Sequence, residues 1–169
     1  MENNPLLDIS RISGRRGSKS AGRFLTRIKQ MIQLKGNEMT FNFDREFQSM
    51  MQVNDLNTVI LLGHLNPDGD AAGSVMGLAH YIKVNYPQYK VMPYLADTLD
   101  KGPKKQVKLD KVFNPFEKPD VKEKYAVIVC DTAVLARMIG REYYEGAEAS
   151  IIIDHHASNE GYGDVNYTK

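Results

Sequence analysis

TVILLGHLNPDGDAAGS, residues 58–74, runs five strand-forming residues into a turn that carries one histidine and two aspartates. The run Thr58–Leu62 reads as a buried strand, and the Asn, Pro and Gly of the turn end it sharply. A loop of that kind can aim His64, Asp68 and Asp70 at one point. Further along, AVIVC at 126–130 stops at Asp131, and SIII at 150–153 stops at Asp154, His155 and His156. Three strand-like runs therefore each end in residues that ligate metals.

The flanking sequence supplies the rest of the fold. FDREFQSMMQ at 43–52 places Phe43, Phe47, Met50 and Met51 on one face at helical spacing, as core packing requires. Ala71–Tyr86 reads as a helix with small residues in its first turn and Asp70 as its cap, ended by Pro87. Val91–Leu95 is expected to be a strand, with Asp97 beyond it as an extra candidate ligand. Residues 98–124 are polar and broken by proline, with KGPKKQVKL as a short helix. A strand at 125–130, a helix at 132–144 and a strand at 150–153 follow. Alternating strands and helices predict an α/β fold in which a parallel sheet carries helices on both faces. Right-handed crossovers then bring every strand's carboxyl end to one rim, where such folds bind ligands.

The donors gathered at that rim are carboxylate oxygens and imidazole nitrogens with no thiolate. This set suits manganese or magnesium, with iron or zinc as alternatives. Taken singly, each strand-end aspartate is equally well a helix cap or turn residue; three together point to a metal site. Two cations sharing a carboxylate would form a clamp for phosphoryl transfer to water.

HLNPDGDAAGS, the isolated Asp131 in VIVCDTA, and IIIDHH at 151–156 resemble the first three signature motifs of the DHH phosphoesterases. With DTAVLARMIG and DHHASNEGYGDVNY, the chain looks most like the branch of bifunctional oligoribonucleases and phosphoadenosine-phosphate (PAP) phosphatases. The resemblance implies two divalent ions, manganese with magnesium as the alternative. His64, Asp68 and Asp131 would hold one, and Asp70, Asp131 and His155 the other. It implies that Asp154 orients His155, and that His156 contacts the scissile phosphate or protonates the leaving oxygen. Arg137 matches a position that often carries arginine in this branch, and Ser74 is placed to bond a phosphate or cap its helix. His80, in mid-helix, is read as structural. The substrate implied is short RNA or a 3′-phosphorylated nucleotide, and the full-length protein is expected to form a homodimer. Members continue to a fourth motif and a second, substrate-binding domain, whereas 13 residues follow His156 here; Asp164 reads as an ordinary loop residue. The sheet is thus expected to be incomplete at the C-terminus. The alternatives are a truncated non-catalytic remnant that binds metal or nucleotide weakly, or a related cyclic-dinucleotide phosphodiesterase.

With 169 residues, 42% of them hydrophobic, the chain can bury one sizeable core. No apolar stretch approaches the roughly 20 residues that span a bilayer, and the N-terminus lacks the apolar core of a secretory signal. A single cysteine, Cys130, excludes a disulfide framework and reads as a small inert core residue. Cytoplasmic residence without membrane association is the expectation. The net charge of +1 conceals a basic arm: residues 1–35 carry eight basic side chains against Glu2 and Asp8. Three readings of this arm stay open. It is a disordered solvated tail, a nucleic-acid-recruiting segment, or not native protein at all, since a start at Met39 would set the first motif at the family's usual distance. The domain division expected is 1–38 for the arm and 39–169 for the catalytic domain.

Overall fold

The structure, a computed structural model, describes residues 41–168. The basic arm and the boundary at Met39 lie outside the described residues.

Helix α1 (Phe43–Val53) begins at Asn42, whose side chain accepts a bond from the Arg45 amide. It buries Phe47, Met50 and Met51 as the spacing predicts. Strand β1 (Thr58–Leu62) is buried along its whole length. There follow α2 (Gly69–Asn85), β2 (Lys90–Tyr94), α3 (Lys101–Lys108), β3 (Tyr125–Cys130), α4 (Arg141–Gly146), β4 (Ala149–Asp154) and β5 (Val165–Thr168). All the strand pairs are parallel, in the order β2-β1-β3-β4-β5. The chain steps outward from β1 to β2 and returns to the other side of β1, which puts a crevice between the carboxyl ends of β1 and β3.

Side chains alternate between the two faces of the sheet. Val59, Leu61, Ile128 and Ile151 pack under α1 and α2, with Val75, Ala79 and Ile82. Ile60, Leu62, Val127, Val129 and Ile152 meet Met138, Ile139 and Tyr144 on the other side. Among the described residues both faces are covered, but unequally: two long helices lie on one, while the short α4 and the turn before it, with Val121 and Tyr162, lie on the other.

That turn corrects the expected helix at 132–144. A single turn of 3₁₀ helix at Leu135–Arg137 and the six-residue α4 replace it. Bonds from distant residues win over local periodicity here. The Thr132 carbonyl accepts from Asn159 and Tyr162, Arg137 O accepts from Leu65 N at 2.7 Å, and Ile139 N donates to Gly63 O at 3.1 Å. Gly140 then turns left-handed at φ 60°.

Two further expectations change. Asp164 is more than a loop residue: its Oδ2 accepts from both the amide and the hydroxyl of Ser150 at 2.8 Å, locking the approach to β5 against the start of β4. Asp97 pairs with Lys104 at 2.8 Å, so this carboxylate and lysine neutralise each other away from the carboxyl-end crevice. His80 has the structural role expected, bonded to Asp110 and set edge-on against Phe113. Burial pushes the Cys130 thiol up to about 12, as an inert core residue requires. No helix among the described residues is long and apolar enough to cross a membrane.

Candidate metal centre

His64 leaves β1 on a backbone clamped from both sides. It forms an antiparallel bridge with Met138, between the Leu65–Arg137 and Gly63–Ile139 bonds. The backbone beneath the imidazole is consequently fixed, and the residue is only 8% exposed. Four residues on, Asp68 caps α2, with Oδ1 accepting from the amides of Asp70 and Ala71 at 2.9 and 3.0 Å. The cap is therefore Asp68 and not Asp70, because the helix starts two residues earlier than the small-residue run suggests. The Ala71 amide chiefly draws the Asp68 carboxyl below its ordinary value.

Asp131 ends β3 in the left-handed region at φ 50°, 6% exposed, with its amide bonded to Ile153 O at 3.0 Å. Burial first, then the charges of Asp70 and Asp68, push its carboxyl above the usual range. Its two oxygens look in different directions. Oδ2 lies 3.8 Å from His64 Nε2, while Oδ1 lies 3.2 Å from His155 Nε2 and 3.6 Å from His156 Nδ1. Two groups of potential ligands share this carboxylate, each with donor atoms within 4.8 Å of one another: His64, Asp68 and Asp131, and Asp131, His155 and His156. The first is the trio the resemblance implies. In the second, His156 stands where Asp70 was expected; Asp70 Oδ2 sits at its margin, 3.8 Å from His155 Nε2.

Asp154 holds His156 and not His155. As the chain leaves β4 extended, residues two apart fall on one side, and Asp154 Oδ1 meets His156 Nδ1 at 2.8 Å. Burial would raise the Asp154 carboxyl, but bonds from His156 and Asn159 outweigh it and hold it below its ordinary value. The same bond raises His156 above the usual imidazole range.

A cleft of about 300 Å³ opens between these strand ends, walled also by Asn66, Ala133 and Arg137. Arg137 thus reaches the site from the 3₁₀ turn, whereas Ser74 does not line the cleft. Sequence reasoning gave no role to Asn66, Thr132, Asn159 or Tyr162. A polar amide in a short loop was the one signal for Asn159; for Tyr162 there was none.

The site fits a cation on its own geometry. Among the described residues, His64 Nδ1 and Asp131 Oδ1 are buried polar atoms without a hydrogen-bond partner, a costly condition unless something else satisfies them. A hard-to-borderline divalent ion suits the oxygen and imidazole donors beside them.

A profile described as the DHH family, N-terminal domain, matches residues 58–169. The chain belongs to the DHH family. Asp154, His155 and His156 lie within the matched span. The bifunctional oligoribonuclease and PAP phosphatase NrnA of Bacillus subtilis is 35% identical over 108 residues, which is 64% of this chain and 32% of that protein. A probable NrnA of Streptococcus mutans is 33% identical over 70% of the chain and 36% of its own length. The Mycoplasma pneumoniae NrnA is 28% identical over 73% and 36%. The DHH chain thus spans about a third of the length of these curated relatives. Among solved structures, an exopolyphosphatase-related protein from Bacteroides fragilis shares the fold, with a TM-score of 0.50 and 17% identity over 73% of this chain and 37% of that one.

Proposed function

We propose that this chain is the metal-binding lobe of a phosphoesterase that uses two divalent ions, manganese in preference to magnesium, to hydrolyse short oligoribonucleotides or 3′-phosphoadenosine 5′-phosphate. The observation that carries this reading is Asp131, one carboxylate whose two oxygens face two separate sets of donors. The substrate class is taken from the activities for which the NrnA relatives are named.

His64, Asp68 and Asp131 would hold one ion. Asp131 and His155 would hold the other, with Asp70 or His156 completing it. When bound, such a pair polarises the phosphate and makes a nearby water acidic enough to serve as a nucleophile near neutral pH. The carboxylate of Asp154 accepts from His156 Nδ1–H, and in the imidazolium form that this bond favours the proton on Nε2 could pass to the leaving oxygen, leaving the neutral ring. Arg137 brings a fixed positive charge to the wall for phosphate oxygens.

Calorimetric titration of the full chain with manganese, beside hydrolysis of PAP and of a diribonucleotide, tests the proposal. Hydrolysis is expected only with a divalent ion. Asp131→Asn should lower manganese affinity and rate together by about 100-fold or more, since removing even an outer group commonly costs about 10–100-fold. Full turnover in excess EDTA would refute the two-metal reading. Metal binding with no turnover of either substrate would favour the second reading, a remnant that binds without catalysis.

A further inference from the structure

Building on that metal centre, we infer that Asn159 is a positioning residue whose side-chain amide ties together the two strand exits that carry the ligands. Its Nδ2 bears two hydrogens and spends them on two different segments. One bond goes to Asp154 Oδ2 at 2.6 Å, and the other to the carbonyl of Thr132 at 3.2 Å. Asp154 in turn holds His156 through its other oxygen, and Thr132 is the residue directly after Asp131. One carboxamide, 9% exposed, thus sets the plane of the Asp154 carboxylate and pins the Thr132–Ala133 peptide, one residue beyond the left-handed Asp131. A carboxylate can only accept, so a fixed Asp154 keeps the proton of neutral His156 on Nδ1 and the Nε2 lone pair available to the cleft.

The role of Asn159 in its own loop uses a different atom. Oδ1 accepts from the Gly161 amide at 2.8 Å and closes a local turn. Tyr162 supports only one of the two strand exits, its hydroxyl donating to Thr132 O at 2.6 Å. These separations make the positioning role testable apart from the turn. Asn159→Asp keeps the Oδ1 acceptor and removes the Nδ2 donor. Asn159→Ser can still accept from Gly161, is neutral, and is too short to reach Asp154.

The experiment is carried out on the full chain in two parts: imidazole nitrogen NMR correlations without metal, and manganese affinity by calorimetry. The wild type should show His156 as the single Nδ1–H tautomer at a pH where the ring is neutral. Both Asn159 variants should show mixed tautomers and a manganese affinity lower by about 10–100-fold, with cooperative melting retained. Tyr162→Phe should leave the His156 tautomer unchanged while weakening manganese binding less. The inference is overturned if His156 signals and manganese affinity in both Asn159 variants equal the wild type. It is overturned equally if both variants lose cooperative melting, since Asn159 would then serve folding alone. A wild type that binds no manganese would count against the metal centre, while the tautomer comparison in metal-free protein would still decide the role of Asn159.

Discussion

Asp131 occupies a backbone conformation that costs a residue with a side chain about 1 kcal/mol or more, and it is held there by the Ile153 carbonyl on one side and the anchored Thr132 on the other. The expenditure places a buried carboxylate between two imidazole groups. Asp68 shows a different economy, dividing its carboxylate between helix and cleft: one oxygen caps α2 while the other remains for a ligand role. The two duties separate by mutation. Asp68→Asn preserves an acceptor at the cap and should cost less than about 0.5 kcal/mol of stability, whereas Asp68→Ala should cost about 1 kcal/mol. Both should weaken manganese binding alike. Thermal melts of the metal-free variants, read beside manganese titrations, check the split; equal melting losses would mean that the cap contributes nothing.

At the scale of elements, the turn at Gly140 decides where α4 begins. Its φ of 60° suits glycine, and a Cβ there would come within 2.8 Å of Tyr143 and 3.2 Å of Tyr94. Gly140→Ala is expected to destabilise by about 1–3 kcal/mol, seen as a melting temperature lower by several degrees; an unchanged value would show that the turn relaxes freely. The elements that sequence reading recovered are those whose signal is local. β1, β3 and β4 are continuous apolar runs, and α1 carries its spacing in four large side chains. The segment 132–140 could not be read this way, because the groups that hold it out of a helix are Leu65, Gly63, Asn159 and Tyr162, remote in sequence. The site divides likewise. His64, Asp68, Asp131 and His155 stand at visible strand ends, whereas the pairing of Asp154 with His156 depends on how the chain leaves β4. The cap shifted from Asp70 to Asp68 because two aspartates two residues apart offer the same chemistry to a helix start.

Across the whole molecule, a long-range polar tie holds the excursion between β2 and β3 to α2. His80 on α2 bonds to Asp110, whose other oxygen caps the Val112 and Phe113 amides. Burial would raise the Asp110 carboxyl, but the bond from His80 and then those two amides outweigh it and hold it below 3.8. A folded value below the unfolded one stabilises above the ordinary carboxylate range and loses that contribution as pH falls through the folded value. Asp110→Asn should therefore cost about 1 kcal/mol at neutral pH, and the gap to wild type should close below pH 3.8. Urea melts at both ends of that range check it, and a gap independent of pH would remove the charge from the explanation. The uneven covering of the sheet has a further consequence. The strip 137–139 that packs on its thinner side is bonded to 63–65, the backbone that carries His64, which couples the opening of the cleft to that of the core. Opening this ladder frees the amides of Leu65 and Ile139 together, so a cation that slows deuterium exchange at the first is expected to slow it at the second.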